Sequence, residues 1–305
     1  MKVPYRKIFL FLAILFSVLF LMNLWMDQEH YPHVPLQYDE VFHPKDGGDV
    51  IILGASQAAH GINPKYLEPS PLKIYNFSLN GAPPSFYLNW YRKIFHKYYP
   101  RPAYVVYAVH WVMFDDHLLS RRLEQDSKYF PRRFLLEELR DPKNWKDVLM
   151  NRFSLIKERK RLMPRLFKKK PDEVYLRNKY YRGFIPFETR RSLDKRDVVH
   201  PKTNPAEVKA FEALLDDFEK EEIKVIFVHV PAYLPGREYA DVSGGMQLLK
   251  RIAGERKIPF LDYETERPSA INMDRELFSD WTHLNEKGST AFSTLLKKDL
   301  DGLIH

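Results

Sequence analysis

Short, continuous apolar runs punctuate the chain. Asp49-Val50-Ile51-Ile52-Leu53 is rich in β-branched residues and stops at Gly54, and similar runs are Lys73 to Phe77, Ala103 to Val109, Lys224 to Val230 and Ile258 to Leu261. A run of this length, apolar at consecutive positions and ending near Gly, Asn, His or Pro, predicts a strand covered on both faces. Between the runs the spacing changes to the helical period. Phe86, Trp90 and Phe95 recur within 85–98, and Val208, Phe211, Leu214, Leu215 and Phe218 within 205–221. Further helical stretches cover 244–255 and 286–300. Strands alternating with helices predict a three-layer α/β/α, doubly wound (flavodoxin-like) parallel sheet of about five strands, with functional groups at the carboxyl ends of the strands. Asp115 to Thr203 breaks this rhythm. Too long for one crossover and too charged for core, it predicts an insertion of short helices and loops beside the sheet.

The longest apolar run stands apart at the N-terminus. Ile8 to Met26 carries no formal charge and has only Ser17 and Asn23 as clearly polar residues. As a helix it would be about 28 Å long, close to the hydrocarbon thickness of a bilayer. Lys2, Arg6 and Lys7 precede it and Asp27 and Glu29 follow. The positive-inside rule then places the N-terminus in the cytoplasm and the body outside, with Trp25 at an interface. A cleaved signal peptide would need small residues at the cut, where Met22-Asn23-Leu24-Trp25-Met26 stands instead. A retained single-pass anchor in the cytoplasmic membrane is the expectation, with the lipid bilayer as one partner.

Charge changes the picture once it is divided along the chain. Of the net +8, residues 121–200 hold 24 Lys/Arg against 12 Asp/Glu, and the remainder holds 24 against 28. The basicity therefore belongs to one segment, and a nucleic-acid partner is not expected. Arg159-Lys160-Arg161 and Lys168-Lys169-Lys170 could meet anionic headgroups, an acidic polysaccharide or a partner protein, or form solvated helix faces. The chain has no Cys, which removes a disulfide framework, a thiolate zinc site and a cysteine nucleophile.

Three segments carry candidate chemistry. In Gly54-Ala55-Ser56-Gln57-Ala58-Ala59-His60-Gly61 a hydroxyl follows the first strand directly, where backbone N–H groups at a helix start can hold an oxyanion. A helix-capping serine would look the same. In Ser279-Asp280-Trp281-Thr282-His283-Leu284-Asn285 an Asp three residues before a His can turn its carboxylate onto one imidazole nitrogen and leave the other for a nucleophile. A solvated loop with a capping Asp is the plainer alternative. In Asn76-Phe77-Ser78-Leu79-Asn80-Gly81-Ala82-Pro83, Gly81 can bring a backbone N–H near a ligand and Asn80 or Asn76 can add a side-chain donor, although a strand-ending turn needs the same residues. His110, His229 and His283 could share one sheet edge, but without HxH or HxxxH spacing or assigned carboxylates no metal site is read from them.

The glycine-x-serine after strand one, the Asn-Gly after strand two and the DxxH before the last helix together resemble the SGNH (GDSL-like) hydrolase superfamily. Ile52-Leu53-Gly54-Ala55-Ser56-Gln57-Ala58-Ala59-His60-Gly61-Ile62-Asn63-Pro64 followed by Tyr75-Asn76-Phe77-Ser78-Leu79-Asn80-Gly81-Ala82-Pro83-Pro84, behind one N-terminal anchor, looks most like its cell-envelope branch. That branch includes alginate O-acetylation proteins and the D-alanylation accessory protein of teichoic acids. The resemblance runs from about Asp49 to the C-terminus. With the anchor read above, the expected organisation is residues 1–30 as cytoplasmic stub and anchor, 31–48 as tether, and 49–305 as an SGNH-like domain with a basic helical insertion at about 115–203.

Carried over by position, the resemblance implies Ser56 as nucleophile, His283 as base and then acid, and Asp280 as the group orienting His283. The Ser56 and Gly81 N–H groups would form the oxyanion hole. The family's Gly-x-Asn-Asp after strand three is absent, and Tyr107-Ala108-Val109-His110-Trp111-Val112 stands there. His110 or Asn80 would have to supply a side-chain donor. Envelope acyltransferases of the family also tend to lack that Asn. The implied activity is a cofactor-independent serine O-acyl transfer, acetyl above all, to a cell-surface glycan, beside a membrane-bound O-acyltransferase. A carbohydrate O-acetyl esterase and a non-catalytic glycan-binding or assembly subunit are the alternatives. Trp111, Trp281 and Tyr233 are candidates to stack on sugar rings.

Overall fold

The computed structural model describes residues 5–30, 48–68, 72–115, 137–146, 148, 180–187, 201–235 and 243–304. Helix α1 (Tyr5–His30) opens the chain, and its Tyr5–Asn23 portion is long and apolar enough to cross a membrane. The expected tether up to residue 47 and both lysine/arginine clusters lie outside the described residues, as does most of the expected insertion.

Strand β1 (Val50–Gly54) leads into helix α2 (Ser56–Gly61) and the single turn α3 (Pro64–Leu67). Strand β2 (Ile74–Asn76) precedes α4 (Pro84–Trp90), which continues through a π-helical turn (Tyr91–Phe95) and a last α turn (His96–Tyr98). Next come β3 (Tyr104–Val109), α5 (Pro205–Lys220), β4 (Lys224–His229), α6 (Ser243–Arg256), β5 (Phe260–Asp262) and α7 (Glu286–Leu300). Each apolar run of the sequence thus becomes a strand. All five pair in parallel, in the order β2-β1-β3-β4-β5.

The continuous apolar pattern is explained by two cores. Alternate residues Ile51, Leu53, Val105, Tyr107 and Phe227 pack under α4, α5 and α6 with Trp90, Phe211 and Leu249. Their neighbours Val50, Ile52, Val106, Ile226 and Val228 pack under α2 and α7 with Ala58, Phe292 and Leu296. Period-two side chains on a sheet covered twice leave no polar face.

The base of the insertion is stitched shut. Asn204 N donates to Phe114 O at 2.8 Å and Lys202 N to Asp115 Oδ2 at 2.6 Å. The described stretch 180–187 of this segment reaches the carboxyl end of β2. Phe184 and Ile185 are buried there. Asn76 N donates to Arg182 O at 3.0 Å. Gly183, at φ 88°, lies so close to Asn76 O that a Cβ would stand 1.7 Å from it.

Candidate active site

Strand order reverses at β1, whose neighbours are β2 on one side and β3 on the other. At such a switch point the two connections leave in opposite directions and open a crevice beyond the strand ends. The chain places Gly54, Ala55, Ser56 and Gln57 after β1, and Tyr107, Ala108 and His110 at the end of β3, around one cavity of about 160 Å³. Thr282 and His283 close its other side, with Ala82, Pro84, Val112 and Met113 completing the wall. Gly54 is required by this arrangement. At φ 150° it is so close to β3 that a Cβ would meet Ala108 O at 2.8 Å.

Ser56 is the first residue of α2, so its N–H has no partner within the helix. Its Oγ lies 2.7 Å from Nε2 of His283. On the other side of that ring, Nδ1 is 2.8 and 2.9 Å from the two oxygens of Asp280. A carboxylate accepts, so Nδ1 carries the proton, and Nε2 is left to accept from the Ser56 hydroxyl. Asp280 also accepts from the backbone N–H of Thr282 at 3.0 Å and of His283 at 2.9 Å. Burial alone would raise its pKa, but these bonds and the His283 ring hold the carboxyl below the usual carboxylate range. Asn285 then caps α7 by accepting from Gly288 N, which fixes where the DxxH loop ends.

His110 lines the same cavity, and its Nδ1 is 3.3 Å from the N–H of Val112. Since a backbone N–H can only donate, the proton of the neutral ring sits on Nε2. Gly81, at φ 71°, and Asn80 form the turn leading to Ala82; of these three, Ala82 alone lines the cavity. Trp111 is corrected outright. It is 4% exposed within the α4/α5 core, so its ring faces are not available to a sugar. Tyr233 and Trp281 are half-buried and pack on one another at 5.6 Å, and neither lines the cavity.

Two features escaped the sequence, the ring lying on His283 and the carboxylates around His229. Phe187 of the insertion lies nearly flat on His283, with ring centroids 4.7 Å apart and planes at 22°. Behind the cavity, buried His229 sits between Asp262, 2.9 Å from Nδ1, and Glu264, 3.1 Å from Nε2. Its ring lies 5.9 Å from that of His110. Burial would lower the pKa of His229, but the two carboxylates override that and raise it to about 9. Its position at the end of β4, in register with Asp262 on β5, was the available signal.

No family model and no curated protein matches the chain. Among solved structures it is similar to a candidate acylhydrolase from Bacteroides fragilis NCTC 9343, at 12% identity and TM-score 0.45 over 92% of this chain and 99% of that one. It is also similar to a GDSL-like lipase from Bacteroides thetaiotaomicron VPI-5482, at 12% identity and TM-score 0.41 over 84% and 88% of the two chains. A candidate lipolytic protein of the G-D-S-L family from Desulfitobacterium hafniense DCB-2 matches at 11% identity and TM-score 0.41 over 82% and 98%.

Proposed function

We propose that this chain is an SGNH-type serine O-acyltransferase, held to the outer side of the cytoplasmic membrane by α1, that moves a short acyl group onto a cell-surface glycan. The observation that carries this is the unbroken series Asp280, His283, Ser56, with 2.8 Å and 2.7 Å between successive partners, at the rim of a cavity.

The chemistry follows from the proton positions. Ser56 Oγ attacks the acyl carbonyl of a donor ester while His283 Nε2 takes its proton, and Asp280 stabilises the imidazolium that results. The carbonyl electrons move to oxygen, where the N–H of Ser56, the first residue of α2, is a backbone donor. The tetrahedral adduct collapses as His283 returns the proton to the leaving alkoxide, which leaves Ser56 acylated. An acceptor hydroxyl then gives its proton to Nε2 and attacks the acyl carbonyl, and as that adduct collapses His283 returns the proton to the departing Ser56 Oγ. No cofactor enters any step. Transfer in competition with water requires the acceptor to be held in line. We assign that role to the half-buried Tyr233/Trp281 pair, which lies outside the cavity and is tied to the DxxH loop by the 3.0 Å bond from Tyr233 N to Trp281 O.

The test is intact mass of the full-length protein in detergent after exposure to a fluorophosphonate or an activated acetyl ester. One adduct is expected at Ser56, absent in Ser56→Ala and His283→Ala. Addition of oligosaccharides from acidic envelope polymers should discharge an acetyl adduct faster than buffer does. Folded wild-type protein that takes no adduct would sink the proposal, and discharge indifferent to any glycan would reassign it as an esterase.

A further inference from the structure

His60 lies one helical turn after Ser56 on α2 and is buried. Its Nδ1 is 2.7 Å from the carbonyl of Ile185, and because a carbonyl only accepts, Nδ1 carries the proton. Ile185 N donates back to Ala59 O at 3.3 Å, so this stretch of the insertion is bonded twice to the helix that bears Ser56. Two residues on, the Phe187 carbonyl accepts from Ser279 Oγ at 2.7 Å, which bonds the same stretch to the loop that bears Asp280 and His283. Between these anchors the Phe187 ring meets both histidines, tilted against His60 at 4.9 Å and stacked on His283 at 4.7 Å.

We propose that Phe187, held in place by His60, is a positioning residue for His283. The inference rests on the acyl-transfer function proposed above. The bonds from His283 to Asp280 and to Ser56 both lie at the ring's edge, and the second breaks whenever Ser56 gives up its proton. The terminal torsion of a histidine is broad, so the ring can then swing out of line with the leaving oxygen. An aromatic ring lying on its face removes that freedom. The same face also attracts the positive charge that the imidazole carries between the two proton transfers. A closed circuit results, from Ser56 through α2 to His60, across Ile185 and Phe187 to His283, and back to Ser56 Oγ.

The test compares Phe187→Leu, which keeps apolar bulk and loses the ring, with Phe187→Tyr, which keeps the ring. Two readouts are taken on full-length protein in detergent. The first is the rate of Ser56 modification by a fluorophosphonate. Phe187→Leu should slow it about tenfold, the rate equivalent of an aromatic-face interaction with a desolvated cation. Phe187→Tyr should stay within about twofold of wild type on the same scale. The second is the 13C–1H signal of the His283 ring, assigned by its loss in His283→Gln. The stacked ring should shift it upfield in wild type and Phe187→Tyr, and the shift should vanish in Phe187→Leu. Phe187→Leu modified at the wild-type rate would overturn the proposal, as would Phe187→Tyr slowed as much as Phe187→Leu. Wild-type protein that takes no label would instead sink the acyl-transfer function itself.

Discussion

The hydroxyl of Tyr87 donates to the carbonyl of Gly54, 2.5 Å away and two residues ahead of Ser56. It also accepts the N–H of Leu79 at 3.0 Å, so one buried phenol ties α4 to the ends of both β1 and β2. Tyr87→Phe removes this tie without changing the apolar packing. Gly54 O still accepts from Leu79 N at 3.1 Å, which limits the damage. A loss of about 1–2 kcal/mol is expected in denaturant titration. The rate of Ser56 modification should fall with it, because the turn that presents Ser56 loses one of its bonds. Unchanged stability would mean that β3 and the bond from Leu79 N suffice to hold Gly54.

Asp280 is bonded to the ring nitrogen that must carry a proton if Nε2 is to accept from Ser56. Asp280→Asn keeps the shape but presents an amide that can donate, which favours the wrong tautomer of His283. Serine modification should slow by about 10³–10⁴-fold with little change in folding. Because the carboxyl is held below the usual carboxylate range, its contribution to stability is present above that range and is lost as pH falls through the lowered value. The acid unfolding of Asp280→Asn should therefore begin from a lower stability at neutral pH and show a shallower decline below about pH 4. Wild-type modification rates in this variant would remove Asp280 from the mechanism.

The strands were legible because burial on both faces writes itself as an uninterrupted apolar run, but their order, and with it the switch point at β1, was not. Asp280 and His283 were legible as a pair because three residues of loop suffice to bring them together. Ser56 was legible as a strand-end hydroxyl. The partners of these groups were not. Phe187 sits in a charged stretch with neither helical nor strand periodicity, and only folding of the insertion onto α2 gives it a target. Trp111 looked like a ring at a strand end, yet the chain turns at His110 and carries it into the core. The three-residue lengths of β2 and β5 and the π turn at Tyr91–Phe95 had no marker in the local sequence.

His229 gives the protein a pH dependence of stability unrelated to Asp280. Its folded pKa is raised to about 9 by Asp262 and Glu264, against about 6.5 for an exposed imidazole. The folded chain keeps a proton that the unfolded chain sheds between those values. The stabilisation is therefore complete below about pH 6.5 and is lost as pH rises through 9. Over that interval a decline of up to about 3 kcal/mol is expected. Lys250, 3.3 Å from Asp262 and with its pKa raised, stays charged throughout. His229→Gln should lower stability at pH 6 and flatten the curve above it. A slope that survives the substitution would place its origin elsewhere.

Gly183 tests how the insertion reaches the site. At φ 88°, with a built Cβ 1.7 Å from Asn76 O, it cannot take a side chain without moving the backbone of 180–187 away from β2. Gly183→Ala should cost more than about 2 kcal/mol if the segment stays docked, or less if it detaches. Either way the stack of Phe187 on His283 loosens, and Ser56 modification should slow. A variant with wild-type stability and wild-type rate would show that the segment is not bound as described.

The cavity limits what Ser56 can be given. It has a volume of about 160 Å³, and its wall includes Ala82, Pro84, Val112, Met113 and Tyr107. Met113 and Tyr107 are both buried, so neither can swing into solvent to lengthen the pocket. Each added methylene of an acyl chain is then a steric cost rather than a gain in burial. Acetyl and propionyl esters should acylate Ser56 at least 10²-fold faster than an octanoyl ester. Met113→Ala should narrow that gap about tenfold by enlarging the cavity, with little effect on acetyl esters. An octanoyl ester accepted as readily as acetyl by the wild-type protein would mean that the acyl chain leaves the site by another route, and that this cavity holds the acceptor instead.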